Sequence, residues 1–171
     1  MKNNYTIVIP VHCLNETNKK FLTEKCVNSI INSKKIDYKP NVMIVGNTKT
    51  YNELKKIFEN FDNFEVLKNN GNSNFQSQLN FASKYIKTEY FMFLELDDEL
   101  NENYLYSFDN YYDELKGTGV ILNILIEVDQ NEIPQKLTNE MAWSRQFVGD
   151  NGELGYINIE QLKNFSEFKL S

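Results

Sequence analysis

Three acids stand together at the end of an apolar run in Tyr90–Glu99, which reads Tyr-Phe-Met-Phe-Leu-Glu-Leu-Asp-Asp-Glu. The apolar half has the length and aromatic content of a buried strand. Burying Asp97, Asp98 and Glu99 with it is costly unless they emerge at a sheet edge facing water or a cation. In an open α/β sheet the carboxyl ends of strands are where ligands bind. Hard carboxylate oxygens there suit Mg²⁺ or Mn²⁺ carrying a phosphate-containing substrate. The plainer alternative is a strand followed by an acidic helix start, with Asp98 as its N-cap.

Alternating strands and helices must position these acids. Tyr5–Val11 is short, β-branched and apolar on both faces, as parallel strands are, and Pro10 sits near its end. A polar loop over His12–Lys20 and a helix over Phe21–Ser33 are expected next. Asn41–Val45 reads as a second strand, followed by a helix capped by Thr50 or Asn52 and running to about Phe61. Phe64–Leu67 reads as a third strand, Asn69–Asn72 as a turn, and Ser73 or Asn74 caps a helix to about Ile86. The fourth strand is Tyr90–Leu96, followed by an aromatic-rich helix over Asn101–Leu115. This β-α-β-α-β-α-β order predicts an α/β, mostly parallel, Rossmann-like sheet flanked by helices, with Tyr5–Val11 and Tyr90–Leu96 at its centre. Beyond it the pattern predicts a strand over Val120–Val128, a turn, a return strand near Ile133–Leu137, a loop over Gly149–Gly155 and a short helix over Ile159–Phe165. No domain boundary is legible, so one domain is expected over 1–171.

Composition excludes several function classes. A length of 171 residues suits one domain with a sizeable core. The net charge of −6 argues against nonspecific binding to nucleic acid or anionic membrane. No stretch approaches the roughly 20 apolar residues that span a bilayer, and the start runs straight into a strand, without a signal peptide. Cys13 and Cys26 stand alone without CxxC spacing, which reads as two reduced thiols in an intracellular protein. Arg145 is the one arginine, so bidentate clamping of phosphate has a single source.

The ordered motifs resemble the nucleotide-binding half of the family 2 glycosyltransferases, which have the GT-A fold. Pro10-Val11-His12, then Asn15-Glu16, stands where that family has a Pro-Val-Tyr/His-Asn-Glu-like signature. Thr88–Asp98 stands where it has a strand of Glu-Tyr-Ile-Met-Phe-Leu-Asp-Ser-Asp-Asp type. The resemblance implies a nucleotide-sugar-binding part over 1–115 and a short acceptor-side part over 116–171. It implies transfer of a sugar from a nucleoside-diphosphate sugar, UDP-type, to an acceptor, with Mn²⁺ or Mg²⁺ as cofactor. Asp97 matches the metal-binding aspartate and Asp98 shapes the site. Glu95 stands where the first Asp of an Asp-x-Asp motif is usual, and Pro10, His12 and Glu16 fall in the stretch that touches the nucleotide.

Departures are also legible. Val45-Gly46-Asn47-Thr48 replaces an Asp-Asp-Gly-Ser-like stretch, leaving Asn47 to meet a uracil edge. Leu79-Asn80 replaces an Arg-Asn pair, with Asn80 retained. The catalytic base is unassigned; Glu140, Asp150 and Glu153 have no motif behind them and read as solvated loop acids. Two functions follow. One is a metal-dependent glycosyltransferase without a membrane span, cytoplasmic or part of a viral particle. The other is a catalytically impaired GT-A-like binding or structural module in a larger bacterial or viral assembly. A partner chain or second copy is expected to complete an acceptor side that 171 residues leave short.

Overall fold

The structure is a computed structural model. It describes residues 4–114, 116, 118–122, 125–129, 131, 133–138 and 155–158. The chain divides into two compact units, Met1–Asn110 and Tyr111–Ser171.

The first unit is built on a four-stranded parallel sheet of order β3-β2-β1-β4, from β1 (Tyr5–Val11), β2 (Asn41–Asn47), β3 (Phe64–Asn69) and β4 (Tyr90–Phe93). After β1 the chain runs through α1 (Glu16–Lys20), a π-helical segment (Phe21–Val27) and α2 (Asn28–Ile31) without a break. The helix therefore begins inside the stretch expected to be loop. Asn15 is the reason: its Oδ1 accepts the Asn18 N–H at 2.8 Å, an N-cap that stops at one turn the polar run expected to stay irregular. α3 (Tyr51–Phe58) follows β2, α4 (Phe75–Ala82) follows β3, and α5 (Tyr104–Tyr111) follows β4. Asn74 caps α4 as expected, accepting from Ser77 N–H at 2.8 Å.

Alternation along β1 divides the core. Tyr5, Ile7, Ile9 and Val11 face Leu22, Cys26, Ile30, Leu54, Phe58 and Leu105, while Val8 faces Met43, Val45 and Ala82. Every residue of β1 is buried, as its two-sided apolar sequence predicts. At the amino end of β1, Tyr5 and Tyr38 share a hydroxyl–hydroxyl bond of 2.8 Å, and Tyr38 donates to Asp109 Oδ2 at 2.7 Å. Burial pushes both phenols up, so they stay protonated and tie α5 to the sheet.

Two expectations for the acidic strand are corrected. β4 stops at Phe93 and is the terminal strand of the sheet among the described residues, pairing with β1 alone. Among the described residues the later strands pair among themselves. Nor is β4 buried on both faces: Tyr90 and Met92 pack into the core, whereas Phe91 and Phe93 are 49% and 42% exposed and meet edge to face at 5.2 Å.

In the second unit β5 (Thr118–Leu122) pairs antiparallel with β8 (Gly155–Asn158), and β6 (Leu125–Val128) forms a hairpin with β7 (Pro134–Thr138). The expected single strand over Val120–Val128 is thus two strands, and the expected return strand is β7. The expected helix over Ile159–Phe165 lies outside the described residues.

Gly46 shows how tightly β2 and α3 meet. A Cβ there would lie 2.7 Å from Leu54 Cδ1, 2.8 Å from Thr50 Oγ1 and 3.3 Å from the Tyr51 Cα. Two of these neighbours belong to the chain path itself or to a polar brace, so the crowding cannot be relieved by one rotamer. Gly46→Ala is expected to cost about 1–3 kcal/mol, the usual penalty of overpacking. It should appear as a lower urea midpoint at unchanged slope; an unchanged midpoint would show that α3 can move away.

Candidate functional site

All four strands are parallel, so the loops after them leave one edge of the sheet. The connections out of β1 and into β4 pass on opposite faces: the helices after β1 and β2 join the Ile7 side, and α4 joins the Val8 side. That makes β1/β4 the switch point, where a crevice forms outside the carboxyl ends. The register shows it opening. β1–β4 pairing ends at Val8↔Phe93, with Leu94 N–H donating to the Val8 carbonyl at 3.0 Å, while β1–β2 pairing continues to Val11↔Gly46. Above Val8 the two strands part.

The β1 side of the crevice carries Pro10, buried in the strand, then exposed His12, and Glu16 in the first turn of α1. Pro10 lies beyond the β4 register, so its missing N–H breaks no ladder bond on that side. The β4 side carries Glu95, Asp97 and Asp98, all exposed on a loop turned by the Asp98 N–H to Glu95 carbonyl bond of 3.1 Å. Leu94 and Leu96 point inward and anchor it. α5 begins only at Tyr104, so Asp98 does not cap a helix and the plainer alternative falls. Asn80 is not brought to this edge. It is exposed on α4, about 7 Å below the first residue at 1.5 Å rise per residue, and accepts a long 3.4 Å bond from Gln76. Glu140, Asp150, Glu153 and Arg145 lie outside the described residues.

Asn47 is 7% exposed and committed to the fold. Its Nδ2 donates to the His12 carbonyl at 2.7 Å, and its Oδ1 accepts the Lys49 and Thr50 N–H groups at 2.8 and 3.1 Å. Thr50 begins α3, but its hydroxyl serves Asn47 N–H at 3.0 Å and lies 3.4 Å from the Val11 carbonyl. Asn47 thus braces the loop that carries His12, with its acceptor turned inward. Each such bond contributes about 1 kcal/mol net, but a buried partner left unpaired costs about 1–3 kcal/mol.

Sequence reasoning missed Gln78. Fully buried on α4, it donates from Nε2 to the Val11 carbonyl at 3.2 Å and to the Ser73 carbonyl at 3.3 Å. The available signal was a glutamine inside the stripe Phe75, Leu79, Ala82, where helical spacing demands an apolar residue.

The helical wall behind the acids is polar where it meets them. Lys25 lies 3.8 Å from Glu99, and Ser29 Oγ accepts the Leu100 N–H at 3.0 Å. Between them sits buried Cys26; burial, then Asp98, Asp97 and Glu99, pushes its thiol up to about 12. The loop is therefore a region of negative potential, suited to a cation. Among the described residues no three His, Cys, Asp or Glu side chains cluster as ligands. One or two carboxylates are what Mg²⁺ or Mn²⁺ takes when phosphate oxygens and water complete its shell, so the donor set fits that use. At pH 8, well below that thiol's range, iodoacetamide is expected to label exposed Cys13 and spare Cys26 until the chain unfolds. Peptide mass spectrometry reads this directly; equal labelling of both would show that the wall behind the acids opens.

The sequence matches the family described as "Glycosyl transferase family 2" over residues 6–163. No curated protein matches it. Crystal structures of S. aureus TarS 1-349 share the fold: one has a TM-score of 0.57 at 22% identity, covering 79% of this chain and 39% of that one. The complex with UDP has a TM-score of 0.58 at 22% identity, covering 79% and 38%; the complex with UDP-GlcNAc has 0.57 at 22%, covering 79% and 37%. This chain thus spans under two fifths of the length of those chains. The family match covers most of the sequence: the chain belongs to glycosyl transferase family 2.

Proposed function

We propose that the chain is the donor-binding part of a metal-dependent glycosyltransferase that takes a UDP-type nucleoside-diphosphate sugar. The observation that carries this is the crevice where β1 and β4 part, with the His12 loop on one side and Glu95, Asp97 and Asp98 on the other. The family match and the UDP and UDP-GlcNAc complexes of TarS support the same class of donor.

Charge assigns the roles. A divalent cation, when bound, neutralises the diphosphate that leaves as the sugar is transferred. Asp97 would hold it, with Asp98 beside it. Glu95, one methylene longer than the aspartate usual there, would be the group that meets the sugar or ribose. His12 and Glu16 border the nucleotide from the β1 side, and Pro10 fixes the strand end from which they leave. The Asn47 carboxamide is directed to the loop, so base contact falls to a remaining N–H of Asn47 or to backbone groups that it holds. Asn80 would act from α4 only through a ligand that extends along it.

A second reading has its own observation. A side chain at Gly46 would meet Leu54 and Thr50, and a carboxylate at Asn47 could not donate to the His12 carbonyl, so on this reading base recognition there is altered and catalysis is impaired without loss of the fold. Transfer also requires a base within about 3 Å of the attacking hydroxyl, or one water away. Glu140, Asp150 or Glu153, or a group from a partner chain or second copy, would supply it.

Calorimetric titration with UDP, with and without Mn²⁺, tests the reading. Affinity should require Mn²⁺ and fall more than about tenfold in Asp97→Ala, the loss expected of even an outer-shell metal partner, while thermal unfolding stays unchanged. Equal affinity in Asp97→Ala would reduce the acids to surface charge. Acceptor-dependent turnover on the order of 1 s⁻¹ by this chain alone would reject the impaired module.

A further inference from the structure

We infer that Gln78 is a positioning residue of the donor site, an assignment that rests on the nucleotide-sugar reading above. Its side chain is completely buried, and its Oε1 accepts no hydrogen bond among the described residues. An apolar residue of similar volume would spare that acceptor but leave the Val11 and Ser73 carbonyls without this donor, so the carboxamide is there for the two carbonyls it holds.

What the carboxamide does is hold two carbonyls. One N–H goes to Val11, the last residue of β1, at 3.2 Å, and the other to Ser73, just before α4, at 3.3 Å. Val11 lies beyond the register with β4, so among the described residues that stretch of β1 has a strand neighbour on the β2 side only. From the α3 side Thr50 approaches the same carbonyl at 3.4 Å, and Asn47 holds the next one, on His12, at 2.7 Å. Gln78 supplies the matching hold from α4, on the opposite face of the sheet. The direction in which His12 leaves β1 is thereby fixed from both faces. The same side chain ties the Asn69–Asn74 loop to that point. That loop is itself turned by Asn69, which accepts the Gly71 N–H at 2.9 Å and donates to the Asn72 carbonyl at 3.1 Å.

The test compares wild type with Gln78→Met and Gln78→Glu, using UDP with Mn²⁺ as the probe in calorimetry at 25 °C. Melting temperature is measured alongside, as are KM and kcat for release of UDP from UDP-GlcNAc. Gln78→Met removes both donated bonds and the stranded acceptor. It should stay folded, melting below wild type because two carbonyls lose a donor, and bind UDP at least tenfold more weakly, with KM raised and kcat within threefold. Gln78→Glu keeps the shape and the acceptor but donates to neither carbonyl when ionised and to one at most when protonated, and should also weaken binding at least tenfold. Gln78→Met binding within twofold of wild type overturns the inference. So does Gln78→Glu binding like wild type, which would credit the acceptor alone. Failure of both variants to fold would make Gln78 purely structural and overturn it as well. A wild-type chain that binds no UDP defeats the nucleotide-sugar reading itself, a pattern distinct from equal affinities.

Discussion

The structure of the site depends on where two parallel strands stop pairing. β1 and β4 run together to Val8 and Phe93 and then separate, while β1 stays bound to β2 for three more residues. A strand end freed on one side has carbonyls to satisfy and a direction to choose. Here polar side chains do both: Gln78 and Thr50 meet the Val11 carbonyl, and Asn47 meets that of His12. On the other bank Leu94 and Leu96 are sunk into the core, so the intervening and following acids are held out toward water. The crevice is thus a consequence of register, and the residues on its two banks are placed by burial on one side and by hydrogen bonds on the other.

This arrangement gives a physical account of the departures from the family pattern. The end of β2 is a packing contact: Gly46 lets Leu54 and Thr50 come within reach of the strand, and an acid side chain has no space there. Asn47 can be buried because an amide both donates and accepts, and so satisfies a carbonyl and two N–H groups at once. A carboxylate, acceptor only, could not donate to His12. The second strand end is part of the brace on the first, and the exposed His12, Glu95, Asp97 and Asp98 lie on the loops after β1 and β4.

Much of this fold was legible in the residues. β1 and β2 announce themselves because a strand buried on both faces must be apolar without alternation. The acidic loop is legible because three carboxylates after an apolar run have few stable places. β4 was misread for a related reason: Tyr90–Phe93 looks uniformly buried, but whether Phe91 and Phe93 are covered depends on a neighbouring strand, and no local pattern specifies one. The β5–β8 pairing was illegible because its partners lie more than thirty residues apart, beyond what periodicity can link. Asn47 was read as a contact-maker and Gln78 was passed over because the carbonyls they serve on Val11 and His12 are distant in sequence.

Paramagnetic broadening by Mn²⁺ tests most directly whether the β1 and β4 loops form one metal–nucleotide site. Backbone amide spectra of the labelled chain would be recorded with trace Mn²⁺, with and without UDP. The account predicts broadening centred on Asp97 and Asp98, extending to His12 and its neighbours when UDP is present and disappearing in Asp97→Ala. Broadening centred on other acids, or at Asp97 with no effect on the His12 loop in the presence of UDP, would contradict it.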